Sequence, residues 1–261
     1  MTWIKYLTCL SLLAASYSLS QTTPVAKSYL REATISESAG TVHVVANSPR
    51  PLAQTLEALQ QKYGWVAGYE DPQFISKLDL AAAEDPGSGV PKSNPPTRLP
   101  AGGLFNVDFP AASPDEAKTL QLVVDAYNRS DNPGRFELRT NKQGAFFVVG
   151  TQARDATGHL SPQRVVLDAP ITLAAQQRSV TDTVNTICHK LAVTRGLKIT
   201  LGVFPRTLMA SSMATVGGAK MPARDLLFQA LSPTHHTLYW QLLFDPASKG
   251  YFLNIHSVKP S

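Results

Sequence analysis

Cysteine is scarce in this chain, with two in 261 residues, Cys9 and Cys188. Cys9 sits in an apolar run near the start, and once that run is removed Cys188 has no partner. An internal disulfide is then excluded even in an oxidising compartment, and the fold must rest on ordinary cores. Charge is also sparse, at 16% Asp, Glu, Lys and Arg. The net +5 is scattered, with no run of five or six basic residues, so no nucleic-acid footprint is expected. Long apolar stretches are missing too. The run Tyr6 to Ala15 is about ten residues, against the roughly twenty a helix needs to cross a bilayer, and no later stretch reaches that length.

What is present begins with that run. A short start containing Lys5 leads into it, and the small, polar stretch Ser16 to Ser20 follows, the three-part layout of a secretory signal peptide. Ser18 and Ser20 supply the small side chains needed three residues and one residue before a cut, so residues 1–20 are expected to leave by cleavage between Ser20 and Gln21. Cys9 lies within the run and not after it, which argues against a lipid anchor. The expected product is exported, periplasmic or secreted, with no stable membrane insertion after cleavage; its oligomeric state is left open.

Residues 21–40 read as a flexible N-terminal segment. From Thr41 the chain alternates apolar-patterned segments with turns. Thr41 to Ala46 has strand-like β-branched density, and Asn47-Ser48-Pro49-Arg50-Pro51 opens a helix whose inner face is Leu52, Leu56, Leu59 and Tyr63. Gly64 ends it, and Trp65 to Tyr69 is a short strand. A Pro/Gly-rich stretch, 81–103, reads as an exposed loop or long insertion. Leu104 to Phe109 is a strand, and Ser113-Pro114-Asp115-Glu116 is a capping box before a second helix facing inward with Ala117, Leu120, Val124 and Tyr127. Arg135 to Thr140 and Ala145 to Gly150 form a hairpin around Asn141 to Gly144.

The second half repeats this order. Arg164 to Leu173 holds one or two short strands, and Ser179 with Asp182 caps a helix lined by Val180, Val184, Ile187, Cys188 and Leu191. Lys198 to Val203 and, more weakly, Ser212 to Val216 are strands. Pro222 starts a helix with Ala223, Leu226, Leu227 and Ala230 inward, and Thr237 to Leu243 with Tyr251 to His256 closes as a hairpin. Helix starts fall about 63 residues apart in the first half and about 42 in the second, a difference close to the length of the insertion. The expected fold is α+β, two similar β-α-β-β-α-β-β modules with small mixed sheets packed by helices, at 41–156 and 162–258.

Val42-His43-Val44-Val45-Ala46, then Pro51-Leu52-Ala53-Gln54-Thr55-Leu56-Glu57-Ala58-Leu59 and Tyr63-Gly64-Trp65, resemble the opening strand, helix and second-strand entry of the secretin and TonB short N-terminal domain. Pro222 to Leu231 and the hairpin after it resemble that family's closing helix and paired strands. The resemblance implies a periplasmic α+β docking domain in two copies. Unlike the family's usual arrangement, no pore or barrel domain is expected after the second copy, and the first carries an insertion.

Side chains with chemical potential are few. Cys188-His189 suggests a thiol nucleophile, but neighbours on a helix point about 100° apart, and Cys188 belongs to the apolar face. His235-His236 lacks a third ligand at metal spacing and reads as a surface turn. Glu70-Asp71 and Glu84-Asp85 are acidic pairs before prolines, which are ordinary turn initiators, although paired carboxylates also serve glycosidases. Val216-Gly217-Gly218-Ala219-Lys220 lacks a phosphate-loop fingerprint. Trp65, Trp240, Tyr239 and Tyr251 alternate within strands as core residues do. The expectation is therefore a non-catalytic docking module without cofactor or metal, its partner an envelope protein, with Pro91, Pro95, Pro96 and Arg98 as the candidate contact surface. The alternative is a small periplasmic hydrolase or ligand-binding protein acting on cell-wall material, drawing on Glu70, Asp71, Asp85 and His43.

Overall fold

The computed structural model describes residues 32–82, 98–112 and 114–258. The expected cleavage site at Ser20 and Gln21, the acidic pair Glu84-Asp85, and Pro91, Pro95 and Pro96 lie outside these residues.

The described chain opens with strands β1 (Thr34–Ser38) and β2 (Thr41–Asn47). Ala39 and Gly40 join them at φ 49° and 75°, a two-residue turn whose twist suits a tight hairpin. Over residues 34–40 this corrects the reading of a flexible segment; residues 21–31 lie outside the described residues. Most β1 side chains are exposed, so it lacks the apolar alternation that marks a strand in sequence; its backbone ladder to β2 holds it. Helix α1 (Pro51–Tyr63) buries Leu52, Leu56 and Leu59, and Gly64 at φ 74° ends it by donating its N–H to the Gln60 carbonyl.

Strand β3 (Ala67–Glu70) is buried throughout. A single 3-10 turn then leads to β4 (Leu80–Ala82), which pairs antiparallel with β5 (Arg98–Pro100). The ends of the insertion are thus a hairpin stem. Strand β6 (Leu104–Pro110) alternates exposed and buried residues and precedes α2 (Glu116–Arg129). The cap of α2 is Asp115, whose carboxylate accepts the Lys118 N–H, and not Ser113. Ala117 is exposed, and Thr119 and Val123 are buried beside Leu120, Val124 and Tyr127. Strands β7 (Arg135–Thr140) and β8 (Phe146–Arg154) form the expected hairpin, and short β9 (Leu160–Pro162) adds to the end of β8.

The second half runs β10 (Pro170–Ser179), α3 (Val180–Arg195), β11 (Lys198–Leu201), α4 (Arg206–Ser211), β12 (Met213–Pro222), α5 (Ala223–Leu231), β13 (Leu238–Asp245) and β14 (Gly250–Ser257). Ser179 caps α3 by accepting the Asp182 N–H, and the expected inner faces of α3 and α5 are buried. Helix α4 was not legible beforehand, since a six-residue helix that fully buries one side chain, Met209, displays no period.

The class is α+β, with small mixed sheets packed by helices. Three pairings recur in the two halves. Strands β2 and β6 pair antiparallel, as β10 and β12 do. Strands β3 and β8 run parallel, as do β11 and β14. Strands β7 and β8 form a hairpin, as do β13 and β14. The two three-stranded groups then join edge to edge, β13 running parallel to β3, so that one sheet of order β11-β14-β13-β3-β8-β7 spans both halves.

Two cores follow from this sheet. Ala67, Tyr69, Phe136 and Val148 pack with α1 and α2 on one face, whereas Phe147, Val149, Trp240, Leu242 and Leu253 pack with α3 and α5 on the other. Because successive strand residues face opposite ways, each half presents its helices to a different side of the shared sheet. Among the described residues no helix is long and apolar enough to cross a membrane.

Candidate interaction site

Glu70 and Asp71 leave β3 at the point where the halves meet, 2% and 1% exposed. As strand neighbours they turn to opposite faces, and each carboxylate is used there. Glu70 accepts from the Val166 N–H, from the Leu167 N–H at 3.3 Å and from Arg224 Nη2 at 3.2 Å. Asp71 accepts from Arg50 Nε at 2.6 Å, Tyr69 Oη at 2.7 Å and the Phe244 N–H at 2.9 Å. Arg50 also donates to the Phe244 carbonyl at 2.6 Å. Each acid therefore ties the first half to the second.

Burial pushes the Glu70 carboxyl up to about 7, against the pull of Arg224 and the two backbone N–H groups. Burial likewise raises the Tyr69 hydroxyl well above its usual range, with the Asp71 charge adding to the effect. From Glu70 a row of alternating charge runs outward. Arg224 donates to Asp168 at 2.6 Å, Asp168 also accepts from Arg139 at 2.5 Å, and Arg139 donates to Glu137 at 2.9 Å. The Arg224 guanidinium also lies 5.3 Å from the centre of the Phe147 ring. Beside it opens a cleft of about 430 Å³ lined by Arg139, Lys142, Phe147, Asp168, Arg224 and Phe228 among others.

The other sequence candidates do not gather there. His43 bonds to Ser38 and Asp108 at 2.9 Å each, in the three-stranded sheet of β1, β2 and β6. Burial pushes the Cys188 thiol up to about 12, while His189 faces solvent. His235 and His236 are exposed in the turn before β13, His235 in the left-handed region at φ 54°. Among the described residues no three His, Cys, Asp or Glu side chains converge on one point. The glycine-rich stretch 216–220 is part of β12, where a side chain on Gly217 would lie 2.4 Å from the Ala175 nitrogen; the glycine permits close pairing with β10. Trp240 stacks on Phe147 at 5.2 Å, Trp65 on Tyr63 at 4.5 Å and Tyr239 on His256 at 5.2 Å, while Tyr251 is buried.

Among the described residues the strands at the two ends of the shared sheet's order, β7 and β11, each keep a bare edge, and the short β9 likewise pairs only with β8. On β7, Asn128 from α2 accepts the Phe136 N–H at 2.9 Å and donates to the Phe136 carbonyl at 2.8 Å. Those groups thus point away from β8, and by alternation so do those of Leu138 and Thr140. On β11 the Gly202 N–H is given to the Leu253 carbonyl, so the backbone groups of Leu201 and Ile199 point outward; just beyond, Asn254 Oδ1 accepts the Val203 N–H at 2.9 Å. Arg98, of the expected contact surface, is exposed on β5 at the insertion stem, opposite Ala82. That stem is anchored by Asp79, which accepts from Arg154 and whose carbonyl takes the Ala101 N–H.

Sequence reasoning missed Arg50, Arg224, Asn128 and Asn254. The first two carry a weak signal as cations flanking helix starts; the asparagines carry none, because their partners are distant backbone groups. Comparison of the chain with family models, with curated proteins and with solved structures finds no match.

Proposed function

We propose that this chain is an exported envelope protein that acts by non-covalent docking, built from two divergent copies of a domain like the short N-terminal domain of secretins and TonB-dependent receptors. The recurrence of the same three strand pairings in both halves supports the two-copy reading. The observation that carries the docking reading is the pair of sheet edges at β7 and β11 that are bare among the described residues. An unpaired edge offers backbone donors and acceptors to an incoming strand, a standard mode of protein recognition. The acids Glu70 and Asp71 serve here as the clamp that fixes the spacing of those edges.

The test is crosslinking in intact cells, followed by recovery of a tagged copy from the envelope fraction. A reproducible protein partner is expected. Removing residues 83–97 and closing Ala82 to Arg98 with a short glycine link asks whether Pro91, Pro95 and Pro96 belong to the contact surface, and Arg98→Ala asks the same of Arg98. Recovery in the cytoplasmic fraction, or of uncrosslinked protein alone, would sink the reading.

A further inference from the structure

The way the two halves join has a definite symmetry. Going from one half to the other, β3, β8 and β7 take the places of β11, β14 and β13 in the same order across the sheet. Strand direction reverses, because β13 runs parallel to β3 whereas its counterpart β7 runs antiparallel to β8 and therefore to β3. The helices change faces. A half-turn about an axis running across the sheet, combined with a shift along it by the width of one half, produces all three effects. Such a relation joins unlike edges, so it is heterologous and does not close on itself. One edge of each kind is left over: β7 is the counterpart of β13, and β11 is the counterpart of β3.

We propose that the chain assembles head to tail with further copies of itself, the β7 edge of one copy receiving the β11 edge of the next in parallel, as β13 receives β3 within the chain. This rests on the docking reading and names its partner as a second copy. The hairpin ends set the register. Asn141 closes on Ala145 as Asp245 closes on Gly250, which makes Glu137 the counterpart of Gln241 and Leu138 that of Leu242. The parallel ladders, Ala67 with Phe146 and Ile199 with Tyr251, make Leu201 the counterpart of Tyr69. The internal pair Gln241–Tyr69 is therefore repeated between copies as Glu137–Leu201.

The open stretch is short. The internal junction pairs Gln241 with Tyr69 and Leu242 with Glu70; in the matching register the outward groups of Leu138 and Leu201 meet, while Thr140 and Ile199 lie to either side of that contact and not opposite one another. Asn128 at Phe136 and Asn254 at Val203 occupy the backbone just beyond it, which limits the contact to a short, reversible one. Because sheets twist with a fixed hand, successive copies wind into an open filament.

Sedimentation velocity of the purified chain over a concentration series reads the assembly directly. The expected result is growth from monomer through dimer to longer species. Leu138→Pro and Leu201→Pro each remove an outward N–H while leaving their own strand's ladder in place, and each alone should weaken association by about tenfold or more. Mixed together they should form dimers and nothing longer, since each supplies the edge the other lacks. Circular dichroism checks that both remain folded.

If a proline variant unfolds, a chain carrying both Glu137→Cys and Leu201→Cys should give a ladder of disulfide-linked copies on oxidation. A monomer at every concentration, a mixture that stays monomeric, or no ladder overturns the proposal. A monomer that still crosslinks to an envelope protein in cells overturns self-assembly and leaves the docking reading standing.

Discussion

The Glu70 carboxylate on β3 and the Arg224 guanidinium at the start of α5 meet 3.2 Å apart although 154 residues separate them in the chain. Both side chains are buried, 2% and 8% exposed. An ion pair removed from water gains little net stability for its attraction, but it makes the loss of one partner costly. Glu70 and Arg224 thereby specify how the halves sit together.

Replacing Arg224 by Met leaves Glu70 with its backbone partners alone. A loss of roughly 3–5 kcal/mol is expected, as for other broken buried pairs, and it should be larger at pH 8 than at pH 5, where Glu70 can take a proton. Urea unfolding of R224M, E70Q and the double variant checks this. The double variant should lose less than the sum of the single ones, and simple additivity would show that the contact couples nothing.

The raised Glu70 pKa implies a pH dependence of defined sign. Between about 4.5 and about 7 the unfolded chain has released this proton while the folded chain retains it. The unfolded state then binds fewer protons, so this group's contribution to stability falls as pH rises through the window. The fall is about 3 kcal/mol at most, at 1.36 kcal/mol for each unit of pKa difference. Unfolding free energies of the parent and of Glu70→Gln, measured from pH 4 to 8, should differ by an amount that slopes through that window. A flat difference would contradict it.

Arg50 forks between the Asp71 carboxylate and the Phe244 carbonyl, a geometry that an ammonium group cannot reproduce. Arg50→Lys should cost about 1.5–3 kcal/mol, the range for a hydrogen bond to a charged group. Hydrogen exchange gives a local reading, because the Phe244 N–H bonds to Asp71 and should lose protection before the amides of β14 do. Equal loss along both strands would mean that Arg50 acts on the whole fold and not on the junction.

Cys188 is buried and its thiol is held far from ionisation, so little thiolate forms at neutral pH. Iodoacetamide at pH 8 should leave the folded chain unmodified for hours and label it promptly in urea, as read by intact mass. Rapid labelling of the folded protein would require an exposed thiol and would reopen the question of a nucleophile.

Much of the local structure is legible in the sequence because local forces set it. The inner faces of α3 and α5 follow from helical spacing, Gly64 and Ser179 act through bonds within one turn of their helices, and the two hairpins follow from alternation and turn residues. Glu70-Asp71 stood out as an acidic pair, yet its role was invisible. Adjacency in sequence suggests cooperation, while strand geometry sends the two carboxylates to opposite faces and to different arginines. Strand β1 was hidden for the converse reason, as a backbone ladder needs no apolar pattern.

The sequence by itself determined the α+β class, most of the order of elements and the faces that α3 and α5 bury, all of which depend on residues a few positions apart. Only the tertiary structure decided that the halves share one sheet, that β13 pairs with β3, and that β7 and β11 end that sheet among the described residues. Edge pairing runs through backbone groups that every residue carries, so side-chain identity records it faintly, and the choice of neighbour emerges once the cores have formed.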